Sequence, residues 1–335
     1  MPPRILPVDP WNPEPGPIAE AAEILLSGGL VAFPTETVYG LGANGLDPCA
    51  AAKIFAAKGR PADNPLILHF AAPDAVDEVA LVPSKARRLM ELFWPGPLTL
   101  VLPSKGTVPP EVTAGLDSVA VRMPSHPAAL ALLARAKIPV AAPSANSSGR
   151  PSPTDAPAVA SDLGDGVDLI LDGGETSVGV ESTVLDATGE QLVLLRPGGC
   201  AVEEIEARSG MKVLLSGGAA HRSPGTRYRH YAPRVPLLLD TDADGIARAA
   251  AETDGALRIA WIGMHAPEIS LGEGVAHPGL RILFDSPENY ARGLFHALRV
   301  FEERGAGLIA AQWPPSEEGI GRALRDRLMR ASMKE

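Results

Sequence analysis

Short apolar runs alternate with amphipathic stretches over residues 1–207, a pattern typical of a sheet covered by helices. Leu30–Phe33 is fully apolar and bounded by a glycine and a proline, so it predicts a buried strand. Asp47 is a good N-cap for the segment Pro48–Ala57, and Gly59 permits a left-handed stop, so this segment predicts a helix. Further strands are predicted at Leu66–Phe70, Leu98–Leu102, Ser118–Arg122, Pro139–Ala142, Asp168–Leu171, Ser182–Asp186 and Leu192–Arg196, and further helices at Pro17–Leu26, Ser84–Phe93 and Pro127–Ala136.

The same alternation recurs on a smaller scale over residues 237–335. The predicted strands there are Leu237–Leu239, Leu257–Ile262 and Gly307–Ala311, and the predicted helices are Asp244–Glu252, Pro287–Glu303 and Ile320–Met329. This region contains neither GxGxxG nor a P-loop, so its pattern does not indicate a nucleotide site. We therefore expect an α/β protein with a mixed, twisted sheet domain at 1–207, a linker at 208–236, and a smaller Rossmann-like, three-layer α/β domain at 237–335.

The composition narrows the class of protein. At 335 residues, of which 45% are hydrophobic, the chain is long enough for two globular domains with separate cores. No apolar run approaches the roughly 20 residues of a membrane-spanning helix, and residues 1–15 do not resemble a signal peptide, so we expect a cytoplasmic protein without membrane contact. Cys49 and Cys200 form no CxxC pair, so neither a disulfide framework nor a structural zinc site is expected.

The formal net charge of -10 argues against a general nucleic-acid-binding protein, because such proteins carry a basic excess. Residues 208–236 differ from the rest, since they contain basic residues and no acidic one. Within them, Ser223–Pro233 interleaves basic and aromatic side chains, which could stack on nucleic acid or lie across a bound nucleotide. A solvated hinge is the alternative, although hinges seldom combine two Tyr, a His and several Arg.

A hydroxyl-rich loop and two cations surround the predicted helix Pro48–Ala57. Thr35 and Thr37 precede the helix, and Lys58 and Arg60 follow it. Charge-assisted contacts from such residues suit a polyphosphate. The alternative is that the two cations only interact favourably with the dipole at the C-terminus of the helix.

Two loops could bring further polar groups to the same place. Gly40 and Gly42 are predicted to lie in the loop after the first strand, where they would let a ligand approach the backbone. Ser144 and Asn146 follow the predicted strand Pro139–Ala142, and ligands gather beyond the carboxyl ends of strands in open α/β sheets. A Ser/Asn turn without a ligand is the alternative.

Arg122 and Arg196 each end a predicted strand beside a loop, which is typical of anion ligands, although each could be a structural ion-pair partner. Ser182 begins a strand, where its hydroxyl could hold a small polar substrate or cap the strand. No Ser/His/Asp or Cys/His arrangement and no paired carboxylates stand out. The chemistry indicated is positioning and charge stabilisation, as in transfer at phosphorus.

Six motifs stand in order across residues 30–200, namely PTETVYGLG, KGRPADNPL, AVRMPSHP, APSANSSGRPSPT, ESTV and LRPGG. In sequence and spacing they resemble the threonylcarbamoyl-AMP synthase family, whose catalytic part is the YrdC-like domain. The segment SPGTRYRHYAP and the residues after it are similar to the linker and second domain of the longer family members. The resemblance therefore covers nearly the whole chain.

The resemblance implies that L-threonine, bicarbonate and ATP give threonylcarbamoyl adenylate and pyrophosphate, the first step of threonylcarbamoyladenosine formation in tRNA. Threonine's amine would add to carbon dioxide or bicarbonate, and the carbamate oxygen would attack the α-phosphorus without a protein nucleophile. Magnesium would arrive with the ATP phosphates, so no protein metal site is expected. The product would pass to the machinery that transfers the group to tRNA, and direct contact with tRNA is left open.

The resemblance also assigns residues to two sets. The ATP set comprises Lys58, Arg60, Ala62, Ser118, Ser144, Asn146, Ser152, Arg196 and Tyr231. The threonine set comprises Thr35, Arg122 and Ser182 with the main chain near Ile67 and Ala142. Lys58, Arg60 and Arg196 are the expected catalytic residues because they would hold the phosphates. Arg122 would pair with the threonine carboxylate, and Tyr231 would close over the nucleotide as part of a lid formed by the linker.

Two other functions compete with this one. An RNA-binding module could use the basic linker, but the first 207 residues are strongly acidic. A carbamoyl-transfer enzyme of hydrogenase maturation would use a related domain, but it would normally bring acylphosphatase and zinc-finger segments, which the sequence does not show.

Overall fold

The computed structural model describes residues 3–215, 230–240, 258–266 and 276–333. They form two compact units, the first with residues 3–148 and 152–215, and the second with residues 149–151 and the described residues from 230 onward. The predicted helix Asp244–Glu252 and residues 216–229 of the predicted linker lie outside the described residues. The domain limits expected from the sequence stay predictions.

The elements are numbered in chain order. The strands are β1 (Arg4–Pro7), β2 (Val31–Phe33), β3 (Gly40–Asn44), β4 (Ile67–His69), β5 (Leu98–Pro103), β6 (Ser118–Arg122), β7 (Val140–Ala141), β8 (Leu169–Asp172), β9 (Thr183–Asp186), β10 (Leu192–Arg196), β11 (Val213–Leu215), β12 (Leu237–Leu239), β13 (Ile259–Gly263), β14 (Ala276–Leu283) and β15 (Leu308–Ala311). The helices are α1 (Pro15–Leu26), α2 (Pro48–Lys58), α3 (Ser84–Phe93), α4 (Pro110–Thr113), α5 (Pro127–Ala136), α6 (Ala156–Leu163), α7 (Val202–Ser209), α8 (Pro287–Glu303) and α9 (Ile320–Ser332).

The first unit is built on one mixed sheet, as predicted. Its strand order is β1-β8-β2-β3-β7-β4-β6-β5-β9-β10-β11. Parallel and antiparallel neighbours both occur, since β4 runs parallel to β6 and antiparallel to β7. Because side chains alternate between the two faces of a strand, Val31 and Phe33 pack with α1 and α5, while Ala32 packs with α2 on the other face. The core of this unit therefore has two layers, one on each face of the sheet.

Helix α2 begins and ends where the sequence predicts. The Asp47 side chain accepts a hydrogen bond from the backbone N–H of Cys49 at 2.8 Å, which caps the N-terminus. Gly59 adopts φ 59° and ψ 37°, the left-handed conformation that ends the helix. These two caps fix Lys58 in the last turn, with Arg60 just beyond it.

The loop prediction for Gly40 and Gly42 is wrong, because both residues belong to strand β3, which pairs antiparallel with β2. A Cβ atom on Gly42 would lie 2.8 Å from Phe33 Cε1 and 2.9 Å from Val140 Cγ1. Gly42 is thus required by close packing inside the sheet, and not by the approach of a ligand.

The second unit contains four parallel strands in the order β12-β15-β13-β14, with α8 and α9 packed against each other. The sequence patterns missed β14, whose segment includes Pro278. Proline cannot donate to a central strand ladder but is tolerated at an edge, and β14 is an edge strand. In the ranges that the structure describes, no helix combines the length and the apolar character needed to cross a membrane.

Candidate functional site

Lys58 is buried at the end of α2, with 3% of its surface exposed. Its Nζ donates to the backbone carbonyl of Ser144 at 2.5 Å and to that of Asn146, and its own carbonyl accepts from the N–H of Ser148 at 2.7 Å. Burial, with a smaller contribution from Arg60, lowers the pKa of Lys58 well below its usual value. Lys58 therefore acts on the neighbouring loop and is not a solvated cation at a helix end.

The loop after β7 carries Ser144 and Asn146 and is held on two sides. The N–H of Ala145 donates to the Tyr39 carbonyl at 2.8 Å, beside strand β3, and Lys58 holds the other side. Ser144 Oγ donates to Asn146 Oδ1 at 2.5 Å, and Asn146 Nδ2 donates to the Ser147 carbonyl at 2.8 Å. The structure thus brings Lys58, Ser144 and Asn146 of the predicted ATP set together.

Arg60 lies on the turn that follows α2. Its Nη2 donates to the carbonyls of Asn64 at 3.3 Å and Pro65 at 3.1 Å. Ala62, another member of the predicted ATP set, is exposed on this turn. The guanidinium of Arg60 is therefore oriented by main-chain acceptors of its own loop.

Arg122 ends strand β6 and forms a buried ion pair, the alternative that the sequence left open, although its partner was not identified there. Its Nη2 lies 2.8 Å from Oε1 of Glu36, and the two side chains are 5% and 8% exposed. The contact falls outside hydrogen-bond angles, so it is held by charge. Glu36 Oε2 accepts from the N–H of Ser125 at 3.1 Å, and Arg122 Nε donates to the Gly96 carbonyl at 3.3 Å. A carboxylate-binding arginine is thus fixed from two directions.

His69 is the neighbour of Arg122 across strands β4 and β6. Its Nδ1 lies 3.1 Å from the Ile67 carbonyl. Burial, together with the adjacent positive charge of Arg122, lowers the pKa of His69 to about 3. His69 is therefore neutral at physiological pH and adds no repulsion to Arg122.

The low pKa of His69 predicts a loss of stability in acid. The unfolded chain takes up a proton near pH 6.5 and the folded chain only near pH 3, so this contribution is complete above about pH 6.5 and is lost as the pH falls towards 3. Between about pH 7.5 and about pH 5, we expect His69 to account for about 2 kcal/mol of the fall in the free energy of unfolding. Urea unfolding at both pH values measures it. The fall should shrink by that amount in His69→Gln and stay unchanged in His265→Gln, whose side chain is exposed.

Ser182 connects the two predicted sets of residues. Its carbonyl accepts from Arg196 Nη2 at 2.9 Å and from Nε at 3.2 Å, and its hydroxyl lies 3.2 Å from the same Nη2. The Ser182 hydroxyl also shares a 2.8 Å hydrogen bond with Thr99. The pairing of β9 with β10 shifts register between Leu194 and Arg196, and a bulge of this kind re-aims a side chain. Arg196 of the ATP set and Ser182 of the threonine set are therefore in direct contact.

Ser152 is bonded to a second buried acid. Its hydroxyl donates to Glu181 Oε1 at 2.5 Å, and the Glu181 carbonyl accepts from the N–H of Gly199 at 3.0 Å. Glu36 and Glu181 both stand inside motifs quoted in the sequence analysis, but the sequence patterns did not mark either one as a site residue. The sequence signal that could have identified each of them is a single acidic residue among hydroxyl-bearing and apolar residues, next to a buried strand.

The remaining threonine-set residues have well-defined local partners. The Thr35 hydroxyl donates to the Val38 carbonyl at 2.6 Å and shares a 2.8 Å bond with the Thr37 hydroxyl. The N–H of Ala142 donates to the Ile67 carbonyl at 2.9 Å, so these two main-chain positions are adjacent. The Ile67 carbonyl oxygen accepts this bond and also lies beside Nδ1 of His69. Both neighbours within the protein therefore use its capacity as an acceptor.

Ser118 and Tyr231 are the remaining members of the predicted ATP set. Ser118 begins β6 and Arg122 ends it, so the two lie about 13 Å apart along the strand. Tyr231 belongs to the second unit, where its ring stacks on Phe295 with centroids 5.3 Å apart and the Arg327 guanidinium lies 5.0 Å from its centroid. Their contacts with nucleotide stay predictions.

The described residues include no cluster of three or more His, Cys, Asp or Glu side chains that could hold a metal ion. The basic residues predicted for the site form three local groups, Lys58 with the Ser144 loop, Arg122 with Glu36, and Arg196 with Ser182. Such a set can bind phosphate and carboxylate groups and stabilise charge on them.

Comparison with known proteins supports the family resemblance noted in the sequence. Residues 23–198 match the family model named for Sua5, YciO and YrdC, described as "Telomere recombination", and residues 200–333 match the model described as "Threonylcarbamoyl-AMP synthase, C-terminal domain". The threonylcarbamoyl-AMP synthase of Pyrococcus abyssi is 45% identical over 93% of this chain and 93% of its own length. That of Bacillus subtilis is 46% identical over 94% and 92%.

A solved structure, P. abyssi Sua5 complexed with L-threonine, is 43% identical and superposes with a TM-score of 0.88 over 98% of this chain and 97% of its own. The two family models together match residues 23–198 and 200–333. The chain therefore belongs to the threonylcarbamoyl-AMP synthase family, in the form with the additional C-terminal domain.

Proposed function

We propose that the two residue sets are the subsites of the reaction that this family catalyses, the formation of threonylcarbamoyl-AMP for tRNA modification. The ATP subsite comprises Lys58, Arg60, Ala62, Ser118, Ser144, Asn146, Ser152 and Arg196. The threonine subsite comprises Thr35, Ile67, Arg122, Ala142 and Ser182. The observation that carries the proposal is the contact of Arg196 with Ser182, because it joins a phosphate-binding cation to the threonine side.

The chemistry follows from this arrangement. Arg122 would bind the threonine carboxylate, which leaves the neutral amine to add to carbon dioxide with loss of a proton, or to react with bicarbonate with loss of water, and form a carbamate. A carbamate oxygen then bonds to the α-phosphorus of ATP as the bond to the pyrophosphate oxygen breaks. Lys58, Arg60 and Arg196 would stabilise the charge on the phosphates, so no covalent protein intermediate is needed.

Magnesium would accompany ATP in this scheme. The two buried carboxylates, Glu36 and Glu181, are already bonded to Arg122 and Ser152, so neither is available to form a metal cage. Oxygen atoms of the triphosphate would supply the ligands, which is usual for magnesium at nucleotide sites.

The product, a mixed anhydride, would be passed on to the machinery that modifies tRNA, in the cytoplasm as the sequence predicts. The match of both domains to the same family supports this proposed transfer of the product. Nothing on the described residues favours the alternatives of an RNA-binding module or a hydrogenase-maturation enzyme.

Pyrophosphate release tests the function. The purified chain with ATP and magnesium should release pyrophosphate only when both L-threonine and bicarbonate are present, and the adenylate should be detected by mass spectrometry. Omission of either substrate is the control. Release that is indifferent to threonine or bicarbonate would show that the assignment is wrong.

A further inference from the structure

The proposed threonine subsite contains a carboxylate to which no role has yet been given, Glu36. Its side chain is 8% exposed, and Oε1 lies 2.8 Å from Arg122 Nη2. Its other oxygen accepts from the N–H of Ser125 at 3.1 Å, so both ends of the carboxylate are fixed. Because an isolated buried charge is costly, Glu36 and Arg122 act as one unit.

Glu36 also decides which part of Arg122 can reach a ligand. Nε donates to the Gly96 carbonyl and Nη2 faces Glu36, so two of the three guanidinium nitrogens are used by the protein. Across the residues that the structure describes, Nη1 has no hydrogen-bond partner. Nη1 is therefore the nitrogen available to a substrate carboxylate, and Glu36 sets its direction.

The charge of this cluster is balanced. Two histidines lie near the pair, His69 beside Arg122 and His126 near Glu36, and burial lowers the pKa of both, so they are neutral near pH 7. Within the part of the chain that the structure describes, the carboxylate paired with Arg122 is that of Glu36. A simple carboxylate would add a net negative charge beside this balanced pair, whereas an amino-acid zwitterion would add none.

We propose that Glu36 is a positioning and specificity-determining residue that orients Arg122 and, by compensating its charge, makes the subsite select amino-acid zwitterions over carboxylates without an ammonium group. The inference rests on the proposed threonine subsite. It concerns selection of the ligand, which is a property that a purely structural ion pair would not control.

The test compares L-threonine with (R)-3-hydroxybutanoate, which keeps the carboxylate, hydroxyl and methyl groups and lacks only the ammonium group. Dissociation constants for both ligands are measured by calorimetry on the full chain and on Glu36→Gln and Glu36→Asp. In Glu36→Gln the preference for threonine should fall by about tenfold or more, because the Arg122 charge is released. Glu36→Asp keeps the charge and should keep the preference within about threefold, even if both ligands bind more weakly.

Other outcomes distinguish an error in the proposed threonine subsite from an error in the proposed role of Glu36. If the unaltered chain does not bind threonine, the subsite itself is wrong. If it binds threonine but Glu36→Gln keeps the preference, or loses both ligands while still binding ATP, only the role of Glu36 is overturned. Thermal unfolding checks that each variant is folded, and Glu36→Ala decides by the same ratio should Glu36→Gln not fold.

Discussion

Replacement of Lys58 by methionine is expected to weaken ATP binding by at least about a hundredfold and to stop pyrophosphate release. Methionine keeps most of the apolar stem but cannot donate to the carbonyls of Ser144 and Asn146, and it removes the amino group that we propose contacts the phosphates. Each charge-assisted hydrogen bond lost costs roughly 1.5 to 3 kcal/mol, and a tenfold change in affinity is about 1.4 kcal/mol. Equilibrium titration with ATP measures the effect.

Lys53→Met is the matched control for this experiment. Lys53 lies on the same helix, and its Nζ also donates to a backbone carbonyl, that of Gly28, at 2.6 Å. The same change of size and charge is therefore made away from the Ser144 loop, and the ATP affinity should stay within about threefold. An equal loss in both variants would trace the effect to helix α2 and contradict a phosphate contact by Lys58.

The second large effect is expected from Arg122→Ala, which should destabilise the protein and remove threonine binding together. Loss of one partner of a buried ion pair costs about 3 to 5 kcal/mol, because Glu36 is left as an uncompensated charge. That charge would also repel the threonine carboxylate, so threonine affinity should fall by roughly a hundredfold or more. Urea unfolding and threonine titration measure the two effects, while ATP affinity should change by less than about threefold.

Arg87→Ala provides the comparison for stability. Arg87 Nη2 lies 2.7 Å from Asp77 Oδ1, nearly the same distance as in the buried pair, but the two side chains are 33% and 47% exposed. An exposed pair is screened by water, so its loss should cost about 1 kcal/mol or less. If the two variants lost similar stability, burial would not be the reason for the Arg122 effect.

The elements that were predictable from the sequence have local signals. Helix α2 is marked by Asp47 and Gly59 at its ends, and strand β2 by an uninterrupted apolar run, and the structure confirms both. Strand β3 was missed because its glycines are also typical of loops, and only the packing of Gly42 against Phe33 explains them. That contact depends on the order of strands, which a local pattern does not contain.

The site residues likewise differ in whether a local sequence pattern marks them or only the fold reveals them. Its cations and hydroxyl groups stand in short motifs, so the sequence points to them directly. Glu36 and Glu181 were overlooked because what matters is the partner that each one meets, Arg122 for one and Ser152 for the other. These partners come from distant parts of the chain and are brought together by the sheet, so residue type and spacing did not reveal the pairs.

The hairpin formed by β9 and β10 offers a place at which a label could be inserted into this protein. Ser182 and Arg196 lie at its open end, whereas residues 189–191 are exposed on the turn about 15 Å away. The register is set by pairs within the strands, such as Leu185 with Leu194, so extra residues in the turn leave it intact. We therefore expect the turn to accept a fluorophore or an affinity tag without movement of Ser182 and Arg196, the two residues that join the proposed subsites.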